Sequence, residues 1–224
     1  MTLHRQEKPN WSKRLFAWGM AKANSADHIK LQGCNSYETM GQLKQALFVD
    51  LEGQVLEIGP GAGANLSYYP SNIHWIGIEP NPFMHSYLKQ EAKRLGLDNI
   101  ELRLGLAESL EVEDNSIDVV VSTHVLCSVT DLATTLQEIK RVLKPNGRFL
   151  FIEHVAGECG TWTRTIQDGI KPVWKIMFDN CHPNRETGKI LETAGFERVD
   201  FQQFNLSIPI VKPHIMGIAR KKSA

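Results

Sequence analysis

An apolar run, Val55-Leu56-Glu57-Ile58, passes straight into Gly59-Pro60-Gly61-Ala62-Gly63-Ala64, and no other stretch limits the fold of this chain as much. A short apolar run bounded by a turn signal reads as a buried strand. Three alternating glycines let the backbone turn tightly and pass close to a ligand without side-chain clashes. Free N–H groups at a helix start beyond such a loop can bind a polar or anionic group. Glu79 ends the next strand-like run, Ile73 to Ile78, 20 positions after Gly59. An acid there can accept hydrogen bonds from both hydroxyls of a ribose. Together, the loop and the acid predict a nucleoside-containing ligand at the ends of two strands.

Strand and helix signals alternate on either side of this pair. Strands are expected at residues 100–104, 117–121 and 148–152, and helices at 82–95, 131–143 and 185–194. Two β-like stretches, about 196–205 and 214–220, close the chain without a helix between them. Residues 11–23 and 37–48 carry apolar positions at helical spacing ahead of the first strand. The expected fold is therefore a doubly wound, Rossmann-like α/β domain. It has a seven-stranded, mostly parallel sheet with an antiparallel C-terminal strand, helices on both faces and an N-terminal helical cap. With 224 residues the chain suits a single domain. Its parts are a cap (1–50), a binding core (51–155), an insertion (156–184), and a C-terminal helix and hairpin (185–224).

Lysine plus arginine and aspartate plus glutamate number 25 each, so no basic field exists to hold a nucleic acid. The four cysteines, Cys34, Cys127, Cys159 and Cys181, lack the close spacing of a zinc or redox motif, so no metal is expected. Residues 1–10 are polar and read as a loose tail with no signal peptide, and no apolar run reaches the length of a bilayer span. A reducing cytoplasm with free thiols is the expected compartment. Oligomeric state is not readable.

The loop alone leaves two cofactors open, because Gly59-x-Gly61-x-x-Ala64 also fits the dinucleotide fingerprint. Glu57 argues against a pyrophosphate, which would meet a like charge, and favours a ligand carrying an ammonium or a sulfonium. The Tyr-x-x-x-Lys pair of one large dehydrogenase class is also missing.

Glu57-x-Gly59-x-Gly61-x-Gly63 resembles the first motif of the class I S-adenosylmethionine (SAM)-dependent methyltransferases. Leu106-Ala107-Glu108-Ser109-Leu110 resembles the family segment beside the adenine, with Leu106 where many relatives carry an aspartate. Asp118 to Thr123 resembles the fourth strand, and Leu143 to Arg148 the turn before the fifth. The resemblance implies SAM as cofactor, with no metal. It implies cofactor contacts from Glu57, Gly59, Pro60, Gly61, Gly63 and Asn65, from Glu79, Pro80 and Asn81, from Leu106, Ala107 and Glu108, and from Thr123. A narrower likeness is to the animal membrane-associated thiol methyltransferases. It rests on Val125 to Val129, Glu153-His154-Val155-Ala156, Thr161-Trp162, Phe178-Asp179-x-Cys181 and Lys212-Pro213-His214-Ile215. It implies a small alkyl thiol as acceptor. The chain lacks that group's long apolar anchor and has His124 where the group tends to be apolar.

Methyl transfer from a sulfonium is an in-line displacement, so the protein must align the groups and exclude water. His154 and His124 are the preferred proton acceptors, with Asp179 and His182 as further candidates. Cys127, Cys159 and Cys181 are expected only to pack. The two N-terminal helices and residues 156–184 are expected to roof the acceptor pocket; the insertion is rich in large apolar groups, and a few are expected to face the acceptor. Lys13, Arg14 and Lys22 beside Trp11, Phe16 and Trp18 suit either a helix packed on its own domain or peripheral contact with a membrane. The competing functions are N-methylation of a lipid head group, C-methylation of a quinone precursor, a SAM-binding regulator and an NAD-dependent oxidoreductase.

Overall fold

The computed structural model describes residues 11–22, 26–97 and 100–223. The tail expected at residues 1–10 lies outside the described residues. In chain order the elements are α1 (Trp11–Lys22), β1 (Leu31–Gln32), α2 (Met40–Phe48), β2 (Gln54–Ile58), β3 (His74–Ile78), α3 (Pro82–Arg94) and β4 (Ile100–Arg103). There follow β5 (Ile117–Thr123), α4 (Leu132–Val142), β6 (Leu143–His154), α5 (Trp162–Met177), α6 (Thr187–Thr193), β7 (Arg198–Leu206) and β8 (Pro213–Arg220).

The strands form one sheet in the order β1-β7-β8-β6-β5-β2-β3-β4. β2 to β6 are parallel, and β8 lies antiparallel between β6 and β7. β2 has β3 on one side and β5 on the other, so the winding reverses there. Such a switch point opens a crevice at the strand ends, and the register sets Glu57 beside Val121 and Ile58 beside Ser122.

Alternating side chains divide the core between the two faces of the sheet. Leu56, Ile58, Val120, Phe149 and Phe151 pack with Leu136 and Ile139 of α4 and Leu191 of α6. Val55, Val119, Val121, Leu150 and Ile152 pack with Leu43 of α2 and Leu88 of α3 on the other face. Helix starts are fixed by side chains. Thr39 and Gln42 form a capping box on α2, Asn81 caps α3 ahead of Pro82, and Asp131 caps α4.

Three elements refine the sequence reading. An eighth, two-residue strand, β1, pairs with β7 at the sheet edge. β6 starts early, because Leu143 pairs with Ile117 before Arg148 pairs with Val119. The expected turn at residues 144–147 is thus a bulge inside one long strand, with Asn146 left-handed at φ 64°. The insertion is mostly helix: α5 runs through Pro172, and its one buried residue is the polar Gln167.

Candidate active site

The loop after β2 turns on left-handed glycines, with φ 57° at Gly59 and Gly61 and 88° at Gly63. A side chain on Gly59 would strike Val125, whereas one on Gly61 would meet no protein atom. Gly61 therefore presents bare backbone to open space, which suits close approach by a ligand.

Glu79 grips this loop from the end of β3. Its Oε2 accepts the Gly61 N–H at 3.0 Å and its Oε1 the Asn81 N–H at 2.8 Å. Burial pushes the Glu79 carboxyl up to about 7, against those two donors, and the charges of Asp179 and Glu57 add to the rise. Glu57 is buried too, and burial raises it. Its oxygens accept from Asn65 Nδ2 at 2.8 Å and Trp75 Nε1 at 3.1 Å. Asn65 Nδ2 also donates to Thr123 Oγ1 at 3.0 Å, tying the glycine loop to the tip of β5. That leaves Asn65 Oδ1 buried without a partner among the described residues.

These groups line a cavity of about 260 Å³ at the strand ends. Glu57, Gly59, Pro60, Gly61, Asn65, Glu79, Pro80 and Thr123 form its polar end. Its apolar wall comes from Phe16 and Met20 of α1, Ile29, Met40 of α2, Met84 of α3, Val125, Leu206 and Ile208. A wider hollow of about 800 Å³ beside residues 34–38 and α2 is away from the strand ends and shares none of these residues.

Other expected residues fall elsewhere. Gly63 turns the loop but does not line the cavity. Asn81 supports it, capping α3 and donating from Nδ2 to the Lys13 carbonyl at 3.0 Å. Leu106, Ala107 and Glu108 lie outside the cavity, with Leu106 exposed and Glu108 accepting the Thr130 N–H at 2.6 Å. His124 and Asp179 line the cavity, but His154 and His182 do not. Asp179 is also the only residue of the 156–184 insertion that lines it. The apolar side chains Trp162, Ile166, Val173, Ile176 and Met177 point outward instead, because α5 is anchored through Gln167 to the carbonyls of Val155 and Ile210.

The two N-terminal helices do roof the cavity as expected, α1 through Phe16 and Met20 and α2 through Met40. Other lining residues escaped the sequence reading. Lys44 interrupts the apolar face of α2; it is buried and bonds Asp27 at 3.0 Å and the Ala64 carbonyl at 3.3 Å. A charge on a buried face is a usable signal. Leu206 and Ile208 gave none, because they reach the cavity only through the hairpin. Glu153 was also missed. It holds the turn after β5 by accepting from Ser122 Oγ at 2.6 Å and the Val125 N–H at 3.1 Å.

His124 adopts φ 57° just after β5 and lines the cavity, where its side chain is exposed to the open space. Desolvation by the protein packed around the cavity lowers it well below the usual imidazole value, and the neighbouring His214 and His154 reinforce this. Its ring centroid is 5.2 Å from that of His214 and 6.5 Å from that of His154. His214 is itself lowered to about 4 by burial.

Residues 56–151 match the methyltransferase domain family. The chain is 40% identical over 196 residues to thiol S-methyltransferase TMT1A of Homo sapiens, covering 82% of this chain and 80% of that protein. It is 36% identical over 213 residues to thiol S-methyltransferase TMT1B of Rattus norvegicus, covering 93% and 87%. The chain belongs to the thiol S-methyltransferase family of class I SAM-dependent methyltransferases. Its fold matches the crystal structure of the [4+2]-cyclase SpnF with a TM-score of 0.72 at 17% identity, over 96% of this chain and 94% of that one.

This SAM-dependent methyltransferase has a site that fits its cofactor. Asn65 Oδ1 is an orphaned buried acceptor that suits an ammonium. The open space at Gly61 and the carboxylate of Glu79 suit a ribose held against a loop. The methyltransferase also carries a buried cluster beyond the cavity wall, made by Cys127, His154 and Cys181. His154 Nε2 lies 3.1 Å from Cys181 Sγ, and Trp174 Nε1 donates to the same sulfur at 3.3 Å. The turn that delivers Cys181 contains two consecutive left-handed residues, Asp179 (φ 44°) and Asn180 (φ 67°). Such conformations cost on the order of 1 kcal/mol each and persist only where the surroundings enforce them.

Proposed function

We propose that the protein transfers the methyl group of SAM to a small alkyl thiol held against the apolar wall of the cavity. The observation that carries this reading is the position of His124, the only imidazole among the described residues that lines the cavity; desolvation by the surrounding protein and the neighbouring His214 and His154 lower its basicity. A weak base suits a thiol, with pKa about 8.5, better than an amine near 10.4 or a phenol near 10. The kinship with TMT1A and TMT1B supports the same acceptor.

SAM supplies an activated methyl group on a sulfonium. Each oxygen of Glu79 already holds a backbone N–H and keeps a lone pair for a ribose hydroxyl. Asn65 Oδ1 accepts from the ammonium of the methionyl part, and Glu57 keeps Asn65 turned that way. Thr123 and Pro80 complete the polar end, and Leu106, Ala107 and Glu108 flank the adenine side. Phe16, Met20, Met40, Leu206 and Ile208 exclude water, which protects the sulfonium and strengthens electrostatic contacts inside. His124 takes the thiol proton, and Asp179 faces the acceptor.

Labelled SAM offered with an alkyl thiol, an alkyl amine and a phenol in separate reactions tests this reading. Label is expected in the thiol product. Transfer to the amine or the phenol, with none to the thiol, would reject it.

We further propose peripheral membrane contact through α1. Trp11, Leu15 and Trp18 face outward on a helix carrying Lys13, Arg14 and Lys22. No helix among the described residues is long and apolar enough to cross a membrane. The protein should float with anionic liposomes, and a Trp11→Ala/Trp18→Ala variant should not. Wild-type protein that stays at the bottom of the gradient rejects the contact.

A further inference from the structure

We propose that Cys127, His154 and Cys181 bind one thiophilic divalent cation, with zinc the natural occupant. The three residues come from the loop after β5, the end of β6 and the turn after α5, far apart in sequence. Their ligand atoms nonetheless lie within 4.8 Å of one another, and all three side chains are buried. Tetrahedral zinc has Zn–S near 2.3 Å and Zn–N near 2.0 Å, which sets ligand atoms about 3.5–3.8 Å apart. The cluster reaches that geometry with side-chain movements of about an ångström or less.

The donors also select the ion. Two sulfurs and an imidazole suit zinc or another soft cation and exclude magnesium or calcium, which require oxygen ligands. Two thiolates and one divalent cation sum to zero charge, which suits a buried position. The indole N–H of Trp174 on Cys181 Sγ is the outer donor that a metal-bound thiolate commonly receives. Among the described residues the Cys181 contact is the only hydrogen bond that orients the His154 ring, because its buried Nδ1 has no partner there. Three protein ligands leave a fourth position for water or another small ligand.

The frame around the cluster is built to hold these segments together. The His182 N–H donates to the Cys127 carbonyl at 2.9 Å, and Asn180 Nδ2 donates to the Ser128 carbonyl at 2.7 Å. Arg185 Nη1 donates to the carbonyls of Leu126 and Val129. Ser128 and Asp179, which both line the cavity, sit one and two residues from the cysteine ligands. The ion would thereby fix one side of the acceptor wall. This inference stands on the cluster itself and does not depend on the identity of the acceptor.

The experiment is metal analysis of full-length protein purified without chelators, followed by titration of metal-free protein with Zn²⁺ and Co²⁺. About one zinc per chain is expected. Co²⁺ should give thiolate-to-cobalt charge-transfer absorption and tetrahedral ligand-field bands. Removing the metal should make two further thiols reactive toward an aromatic disulfide reagent. Cys127→Ser, Cys181→Ser and His154→Gln should each lose the bound zinc, whereas Cys34→Ser and Cys159→Ser should retain it. Wild-type protein that binds neither ion decides against the site even if the variants fail to fold. So would a native Cys127–Cys181 disulfide, or zinc retained at full stoichiometry by Cys181→Ser.

Discussion

The two ends of the cavity are assembled in opposite ways. The polar end comes mostly from two short stretches, residues 57–65 and 79–81, each following a strand of the parallel sheet. The apolar end gathers one or two residues each from α1, α2, α3, the turn after β5 and the hairpin, together with Ile29. In the proposed reading the first holds a cofactor whose chemistry is fixed, and its hydrogen bonds are local and directional. The second needs only shape and dryness, which many side chains can supply. Variants of the two ends should therefore separate cofactor binding from acceptor binding.

The largest effect is expected at Glu79. Glu79→Gln should weaken SAM binding about a hundredfold, because hydrogen bonds to a charged group contribute about 1.5–3 kcal/mol each. Calorimetry reads this directly, and the KM for the thiol should barely move. The same carboxyl makes binding depend on pH. In the empty protein Glu79 stays protonated up to about pH 7, while the ribose needs the ionised form. SAM affinity should rise with pH until about 7 and fall below it, by up to about tenfold per unit. Stability of the empty protein should run the other way. The unfolded carboxyl ionises near its ordinary 4.5 and the folded one near 7. Between those values the folded state binds more protons, so stability declines as pH rises.

Effects at the apolar end should be smaller. His124→Gln should lower kcat/KM for an alkyl thiol about tenfold, leave SAM affinity unchanged, and matter less for more acidic thiols. Ile208→Ala should raise the thiol KM a few-fold, the value of about 1 kcal/mol of lost apolar contact. If Ile208→Ala loosened SAM as much as the thiol, the two ends would be one unit and the contrast between them would fail.

The same asymmetry governs what could be read from the sequence. The glycine loop and Glu79 were legible because each is a local pattern at a strand end, and the structure brings them within one hydrogen bond. The parallel sheet and the closing hairpin followed from alternating strand and helix signals. The acceptor wall was not legible in the same way, because burial of Leu206 or Ile208 depends on where the hairpin lands. Counting apolar residues in the insertion misled for a related reason: α5 is held by the polar Gln167, and its apolar stripe faces outward. The Cys127–His154–Cys181 cluster has no sequence spacing at all and exists only because two strand-end segments meet the turn after α5.

The placement of α1 bears on the pace of turnover. Phe16 and Met20 line the cavity, while Ala17, Phe16 and Ala21 pack α1 against Ala62, Phe83, Met84 and Tyr87, and Asn81 Nδ2 donates to the Lys13 carbonyl. As a prediction, this helix swings aside to let a nucleoside as large as the cofactor pass, and its anchoring contacts then act as the latch of a door. The latch shares Asn81 with the Glu79 grip, so filling the cradle and shutting the door are linked events. The exposed indoles of Trp11 and Trp18 ride on that door, and their fluorescence should follow each opening.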